Sequence, residues 1–575
     1  MTHVQRPGSR ATTFALVATI ALGVAACATV KAVPKVADLL TTGSSRELRT
    51  RLKSAPQSSP GKPALLVLAF DGVDRDLLYE MLKHGELPHL GALLSEEHGA
   101  FPHADLDERL IATMPSTTMA AWTTAMTGRT PAEHGVTGNE FFMRESRLLA
   151  APAPVSFEDP KPTVAIYTEA YLDGLKYGPS VYDRLRERDP NILVWDAMHP
   201  VHSGADRLFV TRPTILVQAF EHLVESGVNE AQGKRKKAAR DAFEKLDNEL
   251  VGDVVEALDH GTVPDVLTVY LMGTDLYAHV AEEGPDQARR AYLKEVADPA
   301  LGKLVTKLRA RHMLEDRWVL VTSDHGHTPV LHDKEHALSS DGPDDPPALL
   351  RKIGLRVRPF KLDVDNNDDF DAVWSGGGAT AYIYVADRST CPGKKARCDW
   401  ARPPRYVEDV LPIADAFFKN DRDGSLVPEM KGTIDMVLTR RPRPFAERDL
   451  PFEVYVGDGK TISIEEYLRE HPHPTYVDMK KRMDALAVGL HGERAGDVML
   501  LAHNGDEAAP EKRYYFAGLY RSWHGSPSRK DSDVPLIVAH PKHTSAAIAA
   551  RVGHILADEP FQQKVADIMV DLREH

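Results

Sequence analysis

The chain has 575 residues, with 42% hydrophobic and 27% charged residues, the balance of an ordinary globular protein rather than a disordered or fibrous one. Its length exceeds the usual size of one hydrophobic core, so either several domains or one large sheet with long insertions is expected. A formal net charge of −14 argues against binding bulk nucleic acid, whose phosphates would be repelled, but leaves room for a small phosphorylated substrate met by locally bound metal ions.

The N-terminus reads as a targeting segment. Arg6 and Arg10 precede an uncharged run, ATTFALVATIALGVAA, over residues 11–26. That run is too short to span a bilayer and has the length and basic flank of a secretory signal. It ends Val24-Ala25-Ala26-Cys27, which resembles a bacterial lipoprotein signal. The resemblance implies cleavage before Cys27 and lipidation of its thiol, so residues 1–26 are a signal peptide. Membrane attachment through the lipid and a periplasmic location follow, and Ala28 after the cysteine favours the outer membrane. Residues 27–60 carry the lipidated cysteine and a polar tether, with one short helix at 45–53. Only Cys391 and Cys398 remain, close together in a Gly/Pro-bearing loop, as expected of a disulfide in an oxidising compartment, with two free thiols as the alternative.

From residue 61 the pattern is that of a catalytic domain running to 575. ALLVLAF (64–70) is a continuous apolar run of strand length and reads as a buried strand of a parallel sheet. Similar runs recur at 265–272, 318–323, 381–386, 497–503 and 534–540. Helical stretches at 76–85, 231–259 and 286–313 lie between several of them. Strands alternating with helices predict an α/β sandwich of three layers, helices on both faces of a mostly parallel sheet. The stretch 330–515, rich in Pro, Asp and Arg, is expected to hold an irregular insertion or cap.

Five segments carry the chemistry. Asp71, in LAFDGVD, follows a buried strand, at the edge where ligands of open α/β sheets collect. Thr118, in TMPSTTMAAWTTAMTGRTPAEHGV (113–136), stands at a predicted helix N-terminus. There a hydroxyl can cap the helix, or serve as a nucleophile favoured by the terminal amides. Asp275 and His279, four apart after another strand, share a face of one helical turn. Asp324 and His325, in VLVTSDHGH, end a further strand, and both are costly to bury without partners; His327 reads as a neighbour rather than a ligand. His524 precedes the strand run near the C-terminus. Three Asp, three His and one Thr near strand ends are enough for two divalent metals, and mixed His/carboxylate ligands suit zinc.

Together, FDGVD, PSTTMxxxxTxMTGRTPxEHGV, DxxxH, SDHG and HGSxxxxxxxVPLIV, in that order over residues 64–540, resemble the alkaline phosphatase superfamily. They are more closely similar to its type I phosphodiesterase/nucleotide pyrophosphatase family. The resemblance implies an alkaline phosphatase-like fold. It implies one metal on Asp275, His279 and His524, and another on Asp71, Asp324, His325 and the Thr118 oxygen. It implies that Thr118 attacks phosphorus and forms a phospho-threonine intermediate that water then hydrolyses. His134 matches a position expected to be structural. Two departures stand out. Met119-Ala120-Ala121 replaces a Phe-Pro-Asn, so Ala121 offers no donor to a phosphoryl oxygen, and four residues separate His279 from Gly284-Pro285. The leading expectation is a phosphodiesterase or pyrophosphatase. The alternatives are a phosphomonoesterase, with Arg129, Arg144 and Lys176 as candidate extra cations, a phosphonate hydrolase, or a non-catalytic metal- or phosphate-binding lipoprotein.

Overall fold

The structure, a computed structural model, describes residues 61–575 apart from 157–160, 229–232, 261–262, 340–343, 361–369, 394–395, 445–446 and 506–507. The signal segment, Cys27 and the tether with its expected helix lie outside the described residues.

The apolar runs form the centre of the molecule. Seven strands make the larger sheet: β1 (Ala64–Phe70), β2 (Ala104–Asp107), β3 (Val194–Ala197), β4 (Arg207–Phe209), β5 (Val266–Leu271), β6 (Arg317–Ser323) and β7 (Leu536–Ala539). Their order is β2-β7-β6-β1-β5-β3-β4. Every residue of β5 and β6 is buried, so both faces of the sheet are covered, as continuous apolar strands require. Helix Lys564–Glu574 packs on β1 and β6, and helix Gly233–Ala257 on β3 and β4. The expected α/β architecture is therefore present. None of the helices among the described residues is long and apolar enough to cross a membrane.

β6, β1, β5, β3 and β4 run parallel, but β7 is antiparallel to both β6 and β2. The runs at 381–386 and 497–503 are not in this sheet at all. They lie in a second, six-stranded sheet of antiparallel neighbours, in the order Ala372–Gly377, Thr380–Val385, Val498–Ala502, Ile434–Thr439, Glu453–Gly457, Lys460–Ile462. A continuous apolar run reports burial on both faces and nothing about direction. The tight turn at 378–379 dictates an antiparallel hairpin. The region 330–515 is thus built round a sheet of its own, with its Pro- and Arg-rich stretches as connections. In that region the Sγ atoms of Cys391 and Cys398 are bonded, with Cα atoms 4.8 Å apart.

The parallel strands end at one edge. Asp71 follows β1, helix α2 (Gly273–Val280) begins just after β5, and Asp324 follows β6. Because β7 runs the other way, the loop entering it reaches the same edge, which brings in His524. A two-residue antiparallel pairing of Ser522–Trp523 with Thr328–Pro329 ties that loop to the one leaving β6. Leu320, fully buried at the middle of β6, is expected to cost about 2–5 kcal/mol when truncated to Ala, read as a lower midpoint in urea unfolding.

Candidate active site

Asp71, Thr118, Asp275, His279, Asp324, His325 and His524 converge in one buried site at this edge, none more than 8% exposed. Thr118 is the first residue of helix α1 (Thr118–Thr127), with Thr117 rather than Thr118 in the capping position. Its hydroxyl lies 3.2 Å from Nε2 of His325. That Nε2 is also 3.3 Å from Oδ2 of Asp324 and 3.6 Å from Oδ1 of Asp71. On α2, Nε2 of His279 is 3.5 Å from Oδ2 of Asp275, the one-face arrangement that the four-residue spacing implies. The His524 ring stacks on His325 with centroids 3.6 Å apart, and its Nε2 is 3.8 Å from Asp275.

The imidazoles are fixed from behind. Nδ1 of His279 donates to the Ser522 carbonyl at 2.7 Å, Nδ1 of His325 to Gly326 at 3.0 Å, and Nδ1 of His524 to Ser116 at 3.0 Å. A carbonyl can only accept, so each Nδ1 carries the proton and each Nε2 presents a lone pair to the site. Backbone carbonyls orient metal-binding histidines in this way. The carboxylates show the complementary pattern. Asp324 Oδ1 accepts from the backbone N–H groups of Gly72 and His325, and Asp71 accepts from the Tyr270 hydroxyl. Asp71 Oδ1 and Asp324 Oδ2 are buried and find no hydrogen-bond partner among the described residues. Burial, then the neighbouring Asp324 and Asp275 charges, push the Asp71 carboxyl well above its ordinary range; burial likewise raises Asp324. Burial, reinforced by His325, holds His524 well below its usual value. Buried orphan carboxylate oxygens facing imidazole lone pairs form an arrangement that divalent cations satisfy and that is costly otherwise. Among the described residues, three groups are close enough to hold an ion: Asp71/Asp324/His325, Asp275/His325/His524 and Asp275/His279/His327.

Backbone constraints permit this density. Gly72 adopts a left-handed φ of +68°, and a Cβ there would lie 2.6 Å from Nε2 of His327. At Gly326 a Cβ would sit 2.0 Å from the Lys530 carbonyl.

Other candidates lie elsewhere. Arg144 pairs with Asp497 and donates to the Val385 carbonyl at 3.0 Å. Lys176 pairs with Asp173 and donates to the Gly178 carbonyl, and Arg129 lies where a Cβ on Gly178 would stand. His134 accepts from Val136 N–H and meets the Thr124 hydroxyl, joining α1 to the following turn. Residues not singled out from the sequence also belong to the surroundings. Asn139 Oδ1 accepts from the N–H of Met119, immediately after Thr118, leaving its amide N–H₂ as a donor. Tyr270 and Ser522 contact the site's carboxylate and imidazoles. Tyr270 was visible only as part of an apolar strand run, and a turn Asn such as Asn139 carries no pattern that would mark it.

Residues 65–395 match the family described as Type I phosphodiesterase / nucleotide pyrophosphatase. The chain belongs to this family. The enzyme is therefore a phosphoric ester hydrolase of a metal-dependent family. No curated protein sequence matches it. Among solved structures, murine ectonucleotide pyrophosphatase / phosphodiesterase 5 is 13% identical, with a TM-score of 0.46 over 88% of this chain and 94% of that chain. An inactive form of that murine protein in complex with AMP is also 13% identical, with a TM-score of 0.47 over 89% of this chain and 95% of that one.

A divalent cation that the site binds, at about 100 times its dissociation constant, is expected to stabilise the enzyme by about 2.7 kcal/mol, read as a rise in melting temperature. Asp324→Asn is expected to abolish most of that rise.

Proposed function

We propose that the enzyme cleaves phosphodiester or pyrophosphate bonds through a phospho-threonine at Thr118, with two divalent cations, zinc by the chemistry of the donors. One would be held by Asp71, Asp324, His325 and the Thr118 oxygen, the other by Asp275, His279 and His524. The observation that carries this reading is the Thr118 hydroxyl 3.2 Å from His325 Nε2, at the first turn of α1 and beside two orphan carboxylate oxygens. Bound cations would supply Lewis acidity, lowering the nucleophile's pKa and neutralising charge on the phosphoryl group.

The protein's own groups account for the rest. Nδ1 of His325 is protonated by its bond to Gly326, so Nε2 would be the atom that holds the cation and is not free to act as base; the Thr118 proton passes to solvent. Oγ forms a bond to phosphorus as the ester oxygen departs; water then attacks and Oγ leaves as the hydroxyl. The N-terminus of α1 favours the developing negative charge. Asn139, held by Met119 N–H, keeps an amide donor for a phosphoryl oxygen, a role Ala121 cannot fill.

A diester is favoured over a monoester by charge. A monoester carries more negative charge and calls for added Arg or Lys. Arg144 and Lys176 are engaged by Asp497 and Asp173. The test compares bis-(p-nitrophenyl) phosphate, p-nitrophenyl phosphate and a nucleotide p-nitrophenyl ester, with zinc and after chelation. The diesters are expected to turn over fastest, and chelation to stop all three. Thr118→Ala is expected to lose several orders of magnitude in kcat while keeping most of its zinc. Fastest turnover of the monoester overturns the substrate assignment.

The enzyme is further proposed to be tethered to the bacterial envelope through a lipid on Cys27, facing the periplasm, with the outer membrane favoured. A Cys391–Cys398 bond suits that oxidising side. Cys27→Ala is expected to move the protein from the membrane fraction to the soluble one on fractionation.

A further inference from the structure

Helices Arg75–Lys83 and Val181–Arg188 each begin on a side chain that accepts from their own first turn, Asp74 from the Leu77 N–H and Ser180 from the Asp183 N–H. Helix α2 does not. The residue before it is Met272, whose side chain makes no cap. Yet the first N–H groups of a helix have no partner within it. Asp275 is the third residue of α2 and stands in that first turn, with His279 one turn further on.

The acceptor comes from another helix. Asp247, fully buried on helix Gly233–Ala257, accepts at Oδ2 from the Gly273 N–H at 3.2 Å. The same oxygen accepts from the Tyr292 hydroxyl at 3.0 Å, which holds the carboxylate in place. Gly273 makes this approach possible, because a Cβ there would lie 1.9 Å from the Tyr292 hydroxyl and 2.6 Å from Asp247 Oδ2. Burial pushes the Asp247 carboxyl up to about 7, while the Tyr292 hydroxyl and the Gly273 and Met272 N–H groups pull it down. A carboxylate is costly to bury unless donors meet it, and the donors here are the start of the helix that bears two candidate ligands.

Resting on the two-cation reading above, we propose that Asp247 is a positioning residue: it caps α2 from the neighbouring helix and so holds Asp275 and His279 in place for their cation. Tyr292 steadies it. Without the cap the first turn of α2 frays, and Asp275 loses its fixed approach to the ion beside His279. The other cation is not carried by α2, because Asp71, Asp324 and His325 stand on the loops after β1 and β6. Removal of a capping side chain typically costs a factor of about 5 in the equilibrium it supports.

The test is a cobalt titration of the chelated, metal-free enzyme, followed by visible absorption and by calorimetry. Wild type is expected to take up two ions. Asp247→Leu, close in size but without an acceptor, is expected to weaken one of them about 5-fold or more and to change its absorption band, leaving the other unchanged. Asp247→Asn keeps an acceptor oxygen for the Gly273 N–H and is expected to retain most of the affinity, a difference that a purely space-filling role would not predict. Tyr292→Phe, which deletes only the hydroxyl, is expected to weaken the same ion by a smaller factor. Circular dichroism of each metal-free variant checks folding. Should Asp247→Leu fail to fold, Tyr292→Phe carries the test. Wild-type cobalt affinity in every folded variant, equal losses in Asp247→Leu and Asp247→Asn, or equal weakening of both ions overturns the proposal and leaves the functional reading standing. No cobalt uptake by wild type overturns both.

Discussion

Carboxylates buried together, with oxygens that no protein donor satisfies, are the constraint on which the site depends. Asp71, Asp275 and Asp324 all sit within reach of His325, and burial and mutual repulsion act against holding the charge of Asp71 and Asp324. Such a concentration of like charge in a low-dielectric interior is tolerated only beside compensating positive charge. Among the imidazoles, His524 cannot supply it readily, because burial disfavours its charged form. Their Nδ1 atoms are tied to carbonyls, so they offer lone pairs instead. Both halves of the donor set thus call for cations, which accords with a metal-dependent hydrolase family.

The scaffold makes that density possible by division of labour. β1, β5 and β6 deliver Asp71, α2 and the Asp324–His325 pair at adjacent positions along one sheet edge. Their register is held by continuous parallel ladders. β7 runs in the opposite direction and so feeds its preceding loop to the same edge. The second sheet then supports that loop, since Ala379 N–H, in its hairpin turn, donates to the His524 carbonyl at 3.1 Å. A segment remote from every motif therefore fixes the last histidine. The glycines at 72 and 326 allow backbone to pass where a side chain would displace His327 or the Lys530 carbonyl.

Much of this was legible from the amino-acid order. Six continuous apolar runs located six of the strands within two residues, because burial on both faces demands such runs, whereas shorter strands such as Ala104–Asp107, Val194–Ala197 and Arg207–Phe209 carried no such signal. Polar groups directly after such runs marked the site, since Asp and His are rarely placed there without partners. The Asp275–His279 spacing carried its own geometry, four residues on one helical face. What pattern could not supply were contacts across the fold. The Asn139 amide stands 20 residues from the N–H it accepts, and Tyr270 and Ser522 look like strand and loop residues until their neighbours are known.

The sequence by itself determined the chemical inventory: an α/β sheet, a family of phosphoric ester hydrolases, and seven candidate groups at strand ends. The sheet and the candidate groups follow from local rules of periodicity, burial and spacing, and the family from the resemblance of five ordered motifs. Only the tertiary structure decided strand direction, the separate antiparallel sheet, and which oxygen or nitrogen of each group faces its neighbours. These depend on hydrogen bonds between residues hundreds of positions apart, such as Gly72 to Asp324 and His524 to Ser116, for which no local pattern exists.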